Sequence, residues 1–216
     1  MIFLTHLSPL RMLLINGSPH ENGCTYTALW EISRQLLHHG IESEIFWIGK
    51  KPIAGCTACG ACKGKGPCVF GENDGVNACV EKMRQADAIV VGSPVYYGGP
   101  NGSLLSLLDR VFYTAGREFA LKPAAAVVSC RRGGASAAFD RLNKYFTISS
   151  MLVVGSQYWN SVHGNTPEEV RKDEEGMQVM RTLAENLAWL LGCLQAGADT
   201  VEKPVYEPRI ATNFIR

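Results

Sequence analysis

Asp87-Ala88-Ile89-Val90-Val91-Gly92-Ser93-Pro94-Val95-Tyr96-Tyr97-Gly98-Gly99-Pro100-Asn101-Gly102 is the stretch that decides the fold. Its first part, 86–94, is apolar with no polar alternation, which predicts a strand covered on both faces and closed by turn residues. A helical pattern over 102–115 follows at once, carrying Leu104, Leu105, Leu108 and Phe112. The same succession recurs on either side. Strand patterns at 11–18, 43–49, 123–130 and 151–159 alternate with helical ones at 25–39, 76–86, 135–147 and 168–195. Apolar strands alternating with helices predict an α/β chain: a doubly wound, five-stranded parallel sheet with helices on both faces.

At 216 residues the chain fits one domain with additions better than two. Hydrophobic residues are 46%, charged residues 19% and the net charge is +1, the balance of a soluble globule. Such a chain has no electrostatic footprint for nucleic acid or an anionic membrane, so neither is expected as a partner. The uncharged stretch 88–108 contains Pro94, Pro100, Asn101, Gly92, Gly98, Gly99 and Gly102, and is no membrane span.

Residues 1–11 lack the basic start and cleavage site of a secretory signal and read as an N-terminal extension. The main domain is expected over 12–195, with a cysteine-rich insertion at 55–71. The tail 196–216 carries Val205, Tyr206, Ile210, Phe214 and Ile215, too apolar for a solvated tail, and is expected to pack on the body or on a neighbouring subunit. Four of the eight cysteines crowd into 56–68. That clustering points to a reducing, cytoplasmic compartment and to a metal or redox site.

Ligands of doubly wound sheets sit at the carboxyl ends of the strands, where the strand order reverses. Three loops leave such ends with unusual composition. Asn16–Thr25 offers glycine amides, the hydroxyls of Ser18 and Thr25, and a helix start, a set suited to a mononucleotide phosphate; it also suits a plain strand-to-helix turn. The dinucleotide and Walker glycine patterns are absent. Gly92–Gly102 sets adjacent tyrosines among glycines, a stacking surface for a flat heteroaromatic ring or a turn whose tyrosines cover the core. Ser129–Ser136 carries Arg131 and Arg132, which either face negative charge on a ring or phosphate, or form surface ion pairs.

Taken in this order, NGSPHENGCT, DAIVVGSPVYYGGPNG and Leu107-Leu108-Asp109-Arg110 resemble the flavodoxin-like family of NAD(P)H-dependent FMN reductases, over roughly 12–195. The closing Thr212–Arg216 is similar as well. The resemblance implies a flavodoxin-like fold and bound FMN. It implies that Ser18, His20, Asn22, Cys24 and Thr25 hold the phosphate, and that Pro94, Val95, Tyr96, Tyr97 and Gly98 line the ring and ribityl chain. Ser129, Arg131, Gly133 and Gly134 would then border the pyrimidine side. It further implies a homodimer or homotetramer. Three positions depart from the family pattern: His20 for a frequent arginine, Ser103 for a lysine, and Asn73-Asp74 for Asp-Asp.

Cys56-x2-Cys59-x2-Cys62-x5-Cys68 is the most specific motif in the chain. Its spacing is ferredoxin-like and fits a [4Fe–4S] cluster, with Gly55, Gly60, Gly64 and Gly66 allowing a close wrap and Lys63 and Lys65 offsetting charge. Zinc, a disulfide formed on aerobic purification, or a purely structural loop remain alternatives. The spacing resembles that of iron–sulfur flavoproteins, a branch of the same family. None of the five histidines is assigned to metal.

The expected function is an FMN-dependent oxidoreductase. Electrons from NAD(P)H would pass by way of flavin to a small acceptor, quinone-like or flavin, or to the nearby cluster. The first alternative is an iron–sulfur flavoprotein that only transfers electrons, with a ferredoxin-like redox partner. The second is a zinc-stabilised, non-enzymatic binding module.

Overall fold

The computed structural model describes residues 9–64, 66–208, 210–212 and 214. Most of the proposed N-terminal extension, Lys65, and Asn213, Ile215 and Arg216 of the closing motif lie outside the described residues.

The chain runs β1 (Arg11–Asn16), α1 (Cys24–His38), β2 (Glu42–Trp47), a single 3-10 turn at Ala61–Gly64, α2 (Val76–Gln85), β3 (Ala88–Tyr96), β4 (Gly99–Pro100) and α3 (Gly102–Ala115). It continues through β5 (Pro123–Cys130), α4 (Ala135–Ile148), β6 (Leu152–Val153), β7 (Ser161–His163), α5 (Pro167–Lys172) and α6 (Glu174–Gly197). The sheet order is β2-β1-β3-β5, with β6 and β7 both pairing with β5 beyond it. All pairs are parallel except the small β3–β4 hairpin. This is the flavodoxin order, and the expected flavodoxin-like α/β fold is the one observed.

The uniform apolarity of the strands has a direct cause. Leu13, Ile15, Ile89, Val91, Ala124, Ala126 and Val128 enter one core, covered by α2, α3 and α4. Their alternates, Met12, Leu14, Ala88, Val90, Ala125 and Val127, enter the other, covered by α1 and α6. Both faces are dry along these stretches, which is why both sets of alternating positions are apolar. Among the described residues no helix is long and apolar enough to cross a membrane.

Two expectations need correction. The fifth strand, expected at 151–159, is split into β6 and β7. The wholly buried Asn160 takes over the ladder between them: its Nδ2 donates to the Ala126 carbonyl at 3.1 Å, and its own carbonyl accepts from Val128 N at 3.0 Å. The intervening residues bulge outward and expose Tyr158 and Trp159, whose rings are tilted against each other with centroids 5.3 Å apart. The helix expected at 168–195 breaks at Asp173, whose carboxylate accepts from Gly176 N at 2.9 Å and from His163 N at 2.6 Å, capping α6. The described tail residues Val205 and Ile210 are 98% and 88% exposed in the single chain.

Candidate functional site

The switch point of the sheet lies between β1 and β3, and the loop after β1 is fastened by hydrogen bonds of its own. Asn16, wholly buried, donates from Nδ2 to the Glu21 carbonyl at 2.9 Å, and its Oδ1 accepts from Ser18 N at 3.1 Å. Ser18 Oγ accepts from His20 N at 3.1 Å, and Trp47 Nε1 donates to the Ser18 carbonyl at 2.8 Å. Gly17 N donates to the Gly92 carbonyl at 2.9 Å. A Cβ at Gly17 would stand 2.8 Å from the Gly92 carbonyl oxygen of β3, so only glycine lets the chain leave β1 this close to β3.

The loop opens on a cavity of about 630 Å³. Its wall includes His20, Asn22, Cys24, Trp47, Lys50 and Thr166. Helix α1 begins beneath it at Gly23 with no side chain capping its first turn and no acidic residue there. Its leading N–H groups and positive pole therefore stand available to an anion. Lys50 is the one Lys or Arg on that wall, and it has no ion-pair partner among the described residues. The Cys24 thiol donates to the Gly164 carbonyl at 3.8 Å, and burial pushes its pKa up, so it serves as a neutral wall residue.

The second loop is more ordered than expected. Strand β3 runs on to Tyr96, turns at Tyr97 and Gly98, and returns as β4, pairing Tyr96 with Gly99. Tyr97 has φ 50° and Gly98 φ 74°, as a tight hairpin turn with two left-handed residues requires. Tyr97 is fully exposed and Tyr96 half exposed, so neither tyrosine acts as a cover for the core. Asn101 Oδ1 caps α3, accepting from Ser103 N at 2.7 Å.

The third loop joins the other two. Ser129 Oγ and Thr25 Oγ1 share a hydrogen bond of 2.8 Å in the buried wall. Gly134, at φ 88°, lies against the hairpin: a Cβ there would stand 2.9 Å from Gly98 Cα and from Val95 Cγ1. Arg131, Arg132 and Gly133 are exposed at the tip, and neither arginine pairs with a carboxylate among the described residues.

The cysteine loop lies against α3. Cys56, Cys59, Cys62 and Cys68 line one hollow together with Phe70, Arg110 and Tyr113. All four are free thiols; Cys56 and Cys59 are exposed, Cys62 and Cys68 half-buried. Among the described residues no three His, Cys, Asp or Glu side chains converge where a single ion would be ligated. Cys68 is the anchored member. Asn77 brackets its backbone, accepting from Cys68 N and donating to its carbonyl, each at 3.0 Å.

The family model for NADPH-dependent FMN reductases matches residues 10–166. This chain belongs to the NADPH-dependent FMN reductase family. An iron-sulfur flavoprotein of Methanocaldococcus jannaschii is 32% identical over 187 residues, which cover 83% of this chain and 96% of the relative. An iron-sulfur flavoprotein of Methanosarcina thermophila is 31% identical over 190 residues, covering 86% and 97%. Among solved structures, RosB with bound 8-demethyl-8-formylriboflavin-5'-phosphate has a TM-score of 0.68 at 16% identity, covering 96% of this chain and 93% of that one; at this identity the likeness speaks for the fold alone.

In this FMN reductase family chain the expected phosphate residues divide into two groups. His20, Asn22 and Cys24 line the cavity, whereas Ser18 and Thr25 are buried behind it as fasteners. Pro94 and Val95 are half-buried under the hairpin that carries Tyr96, Tyr97 and Gly98. Sequence reasoning missed Trp47 and Lys50, whose only signal is their place at the carboxyl end of the second strand pattern. It also missed Arg110 as a neighbour of the cysteines.

Proposed function

We propose that this chain is an FMN-dependent oxidoreductase that takes electrons from NAD(P)H and delivers them to a small acceptor, quinone-like or flavin, or to a [4Fe–4S] cluster on the cysteine loop. The observation that carries this reading is the hydrogen-bonded Asn16–Thr25 loop at the switch point, opening on a cavity whose wall holds an unpaired Lys50. FMN, when bound, supplies the two-electron and one-electron chemistry.

The residues present suit that group. The uncapped amides of α1 and the Lys50 ammonium meet a phosphate dianion. Where His20 stands for a frequent arginine, the loop after β2 supplies the cation in this reading. The hairpin of Tyr96–Gly98 gives an aromatic face and turn amides to the edge of a ring. The free guanidinium groups of Arg131 and Arg132 favour negative charge developing near the third loop. Tyr97, held outward, is placed to meet a nicotinamide or acceptor ring arriving from solvent.

Cys56, Cys59, Cys62 and Cys68 would hold a cluster. The chemistry of the donor set suits it: four cysteine thiols line one hollow, and cysteine thiolates are the ligands that iron–sulfur clusters take. For a chain that transfers electrons only, the same hollow is the entry for a ferredoxin-like partner. Assembly as a homodimer or homotetramer belongs to this proposal: Tyr158, Trp159 and the exposed tail residues are the surfaces that would be covered.

Steady-state oxidation of NADPH and NADH by FMN-loaded protein, with a quinone as acceptor, is the test. Turnover supports the enzyme. Flavin-loaded protein that oxidises neither nucleotide favours the electron-transfer reading.

A further inference from the structure

Arg110 has an unusual set of partners for a buried cation. Its side chain is 2% exposed. Nη1 donates to Asp74 Oδ2 and, at 3.2 Å, to the Ala54 carbonyl, so the guanidinium is fixed in both position and orientation. Its other edge faces one atom only: Nε and Nη2 each lie 3.4 Å from Cys68 Sγ. A neutral thiol is a weak acceptor and does not repay two charged donors. A metal-bound thiolate sulfur, carrying net negative charge and several lone pairs, does.

Resting on the cluster reading given above, we propose that Arg110 is a positioning residue of the cysteine site. It holds the Cys68 sulfur toward the hollow and donates two N–H groups to it, stabilising the more reduced, more negative form of the cluster that the four thiolates bind. Three features of the structure support this. The contact comes from α3, a helix of the rigid core, and not from the cysteine loop itself. Asn77 brackets the Cys68 backbone, so the motif has one fixed corner onto which Cys56, Cys59 and Cys62 close. Asp74 limits the effect from behind, because its carboxylate partly offsets the guanidinium charge. Hydrogen bonds to cluster sulfurs and net charge nearby are the protein's means of setting such potentials.

The experiment uses anaerobically purified full-length protein with its flavin. Iron per chain, the cluster midpoint potential and the flavin midpoint potential are measured together in wild type, R110K, R110Q and D74N. The account expects R110Q to lower the cluster potential, and R110K to recover part of the change by keeping the charge without the two-pronged donation. It expects D74N, which keeps the donor and removes the offsetting carboxylate, to raise the cluster potential. The flavin potential stays fixed throughout. D74N carries the test should R110Q fail to retain flavin. Iron-loaded variants whose cluster potentials equal wild type overturn the role of Arg110 and leave the cluster reading intact. Wild-type protein free of iron overturns both.

Discussion

Thr25 and Ser129 are 104 residues apart in sequence, yet their hydroxyl oxygens lie 2.8 Å apart in the buried wall of the crevice. This bond ties the start of α1 to the end of β5, and so ties the proposed phosphate end of the site to the loop expected at the ring. Each hydroxyl is the other's partner in a space closed to water, so truncating one strands the other.

T25V is therefore expected to destabilise the fold by about 1–3 kcal/mol, the cost of leaving a buried polar group unpaired. In a chain of this size that lowers Tm by roughly 2–4 °C per kcal/mol. The double variant T25V/S129A should lose less than T25V and S129A added together. Calorimetry on the two single variants and the double measures the coupling, and a double loss equal to that sum would show that the bond contributes nothing.

K50M is expected to weaken FMN binding about tenfold, equivalent to ~1.4 kcal/mol for one charge-assisted contact. Riboflavin, which lacks the phosphate, should bind both proteins alike. Titration by flavin fluorescence with each ligand separates the two. Equal weakening for riboflavin would mean that Lys50 supports the loop and not the phosphate.

Tyr97 occupies a left-handed conformation that a side chain adopts at a cost of about 1–2 kcal/mol. Y97G removes that strain, and is expected to raise thermal stability slightly while raising the KM for NAD(P)H. Thermal melts and steady-state kinetics on the same preparation check both signs. A variant less stable than wild type would mean that the aromatic ring is held by contacts worth more than the strain.

Glu31 joins α1 to α6 through Arg181 at 2.7 Å, and also pairs with Arg34. Burial alone would raise its pKa, but the hydrogen bonds from the two arginines outweigh it and hold the carboxyl below its ordinary value of 4.5. A carboxyl depressed in the folded state contributes stability that is present above 4.5 and lost as pH falls through the folded value. E31Q should therefore lower stability at neutral pH and flatten its decline in acid. Urea midpoints at neutral pH and below pH 4.5 give the comparison; parallel declines for both proteins would remove Glu31 from the account.

The sheet was legible because its signal is local and repeated. Ala88–Val91 is apolar at every position, and only a strand with dry cores on both faces needs that. The split of the last strand was not legible, because the ladder is bridged by the side chain of Asn160, and nothing in its neighbourhood marks an asparagine as a strand substitute. The hairpin was hidden by Pro100, which argues against a strand; as a two-residue edge, β4 tolerates it. The three crevice loops stood out by composition, since glycine, serine and paired tyrosines carry their chemistry where they stand. Lys50 and Arg110 had no such pattern. A single basic residue acquires a role from what the fold sets beside it, and Cys68 meets Arg110 only across 42 residues of chain.

The central claim is that the crevice between the ends of β1 and β3 binds FMN by its phosphate. The absorption spectrum of protein purified anaerobically, followed by titration of the stripped protein with FMN, tests it most directly. The account predicts flavin bands at one FMN per chain, with a broad iron–sulfur shoulder beneath them, and quenching of FMN fluorescence on rebinding. Colourless protein that leaves the fluorescence of added FMN unchanged would contradict it.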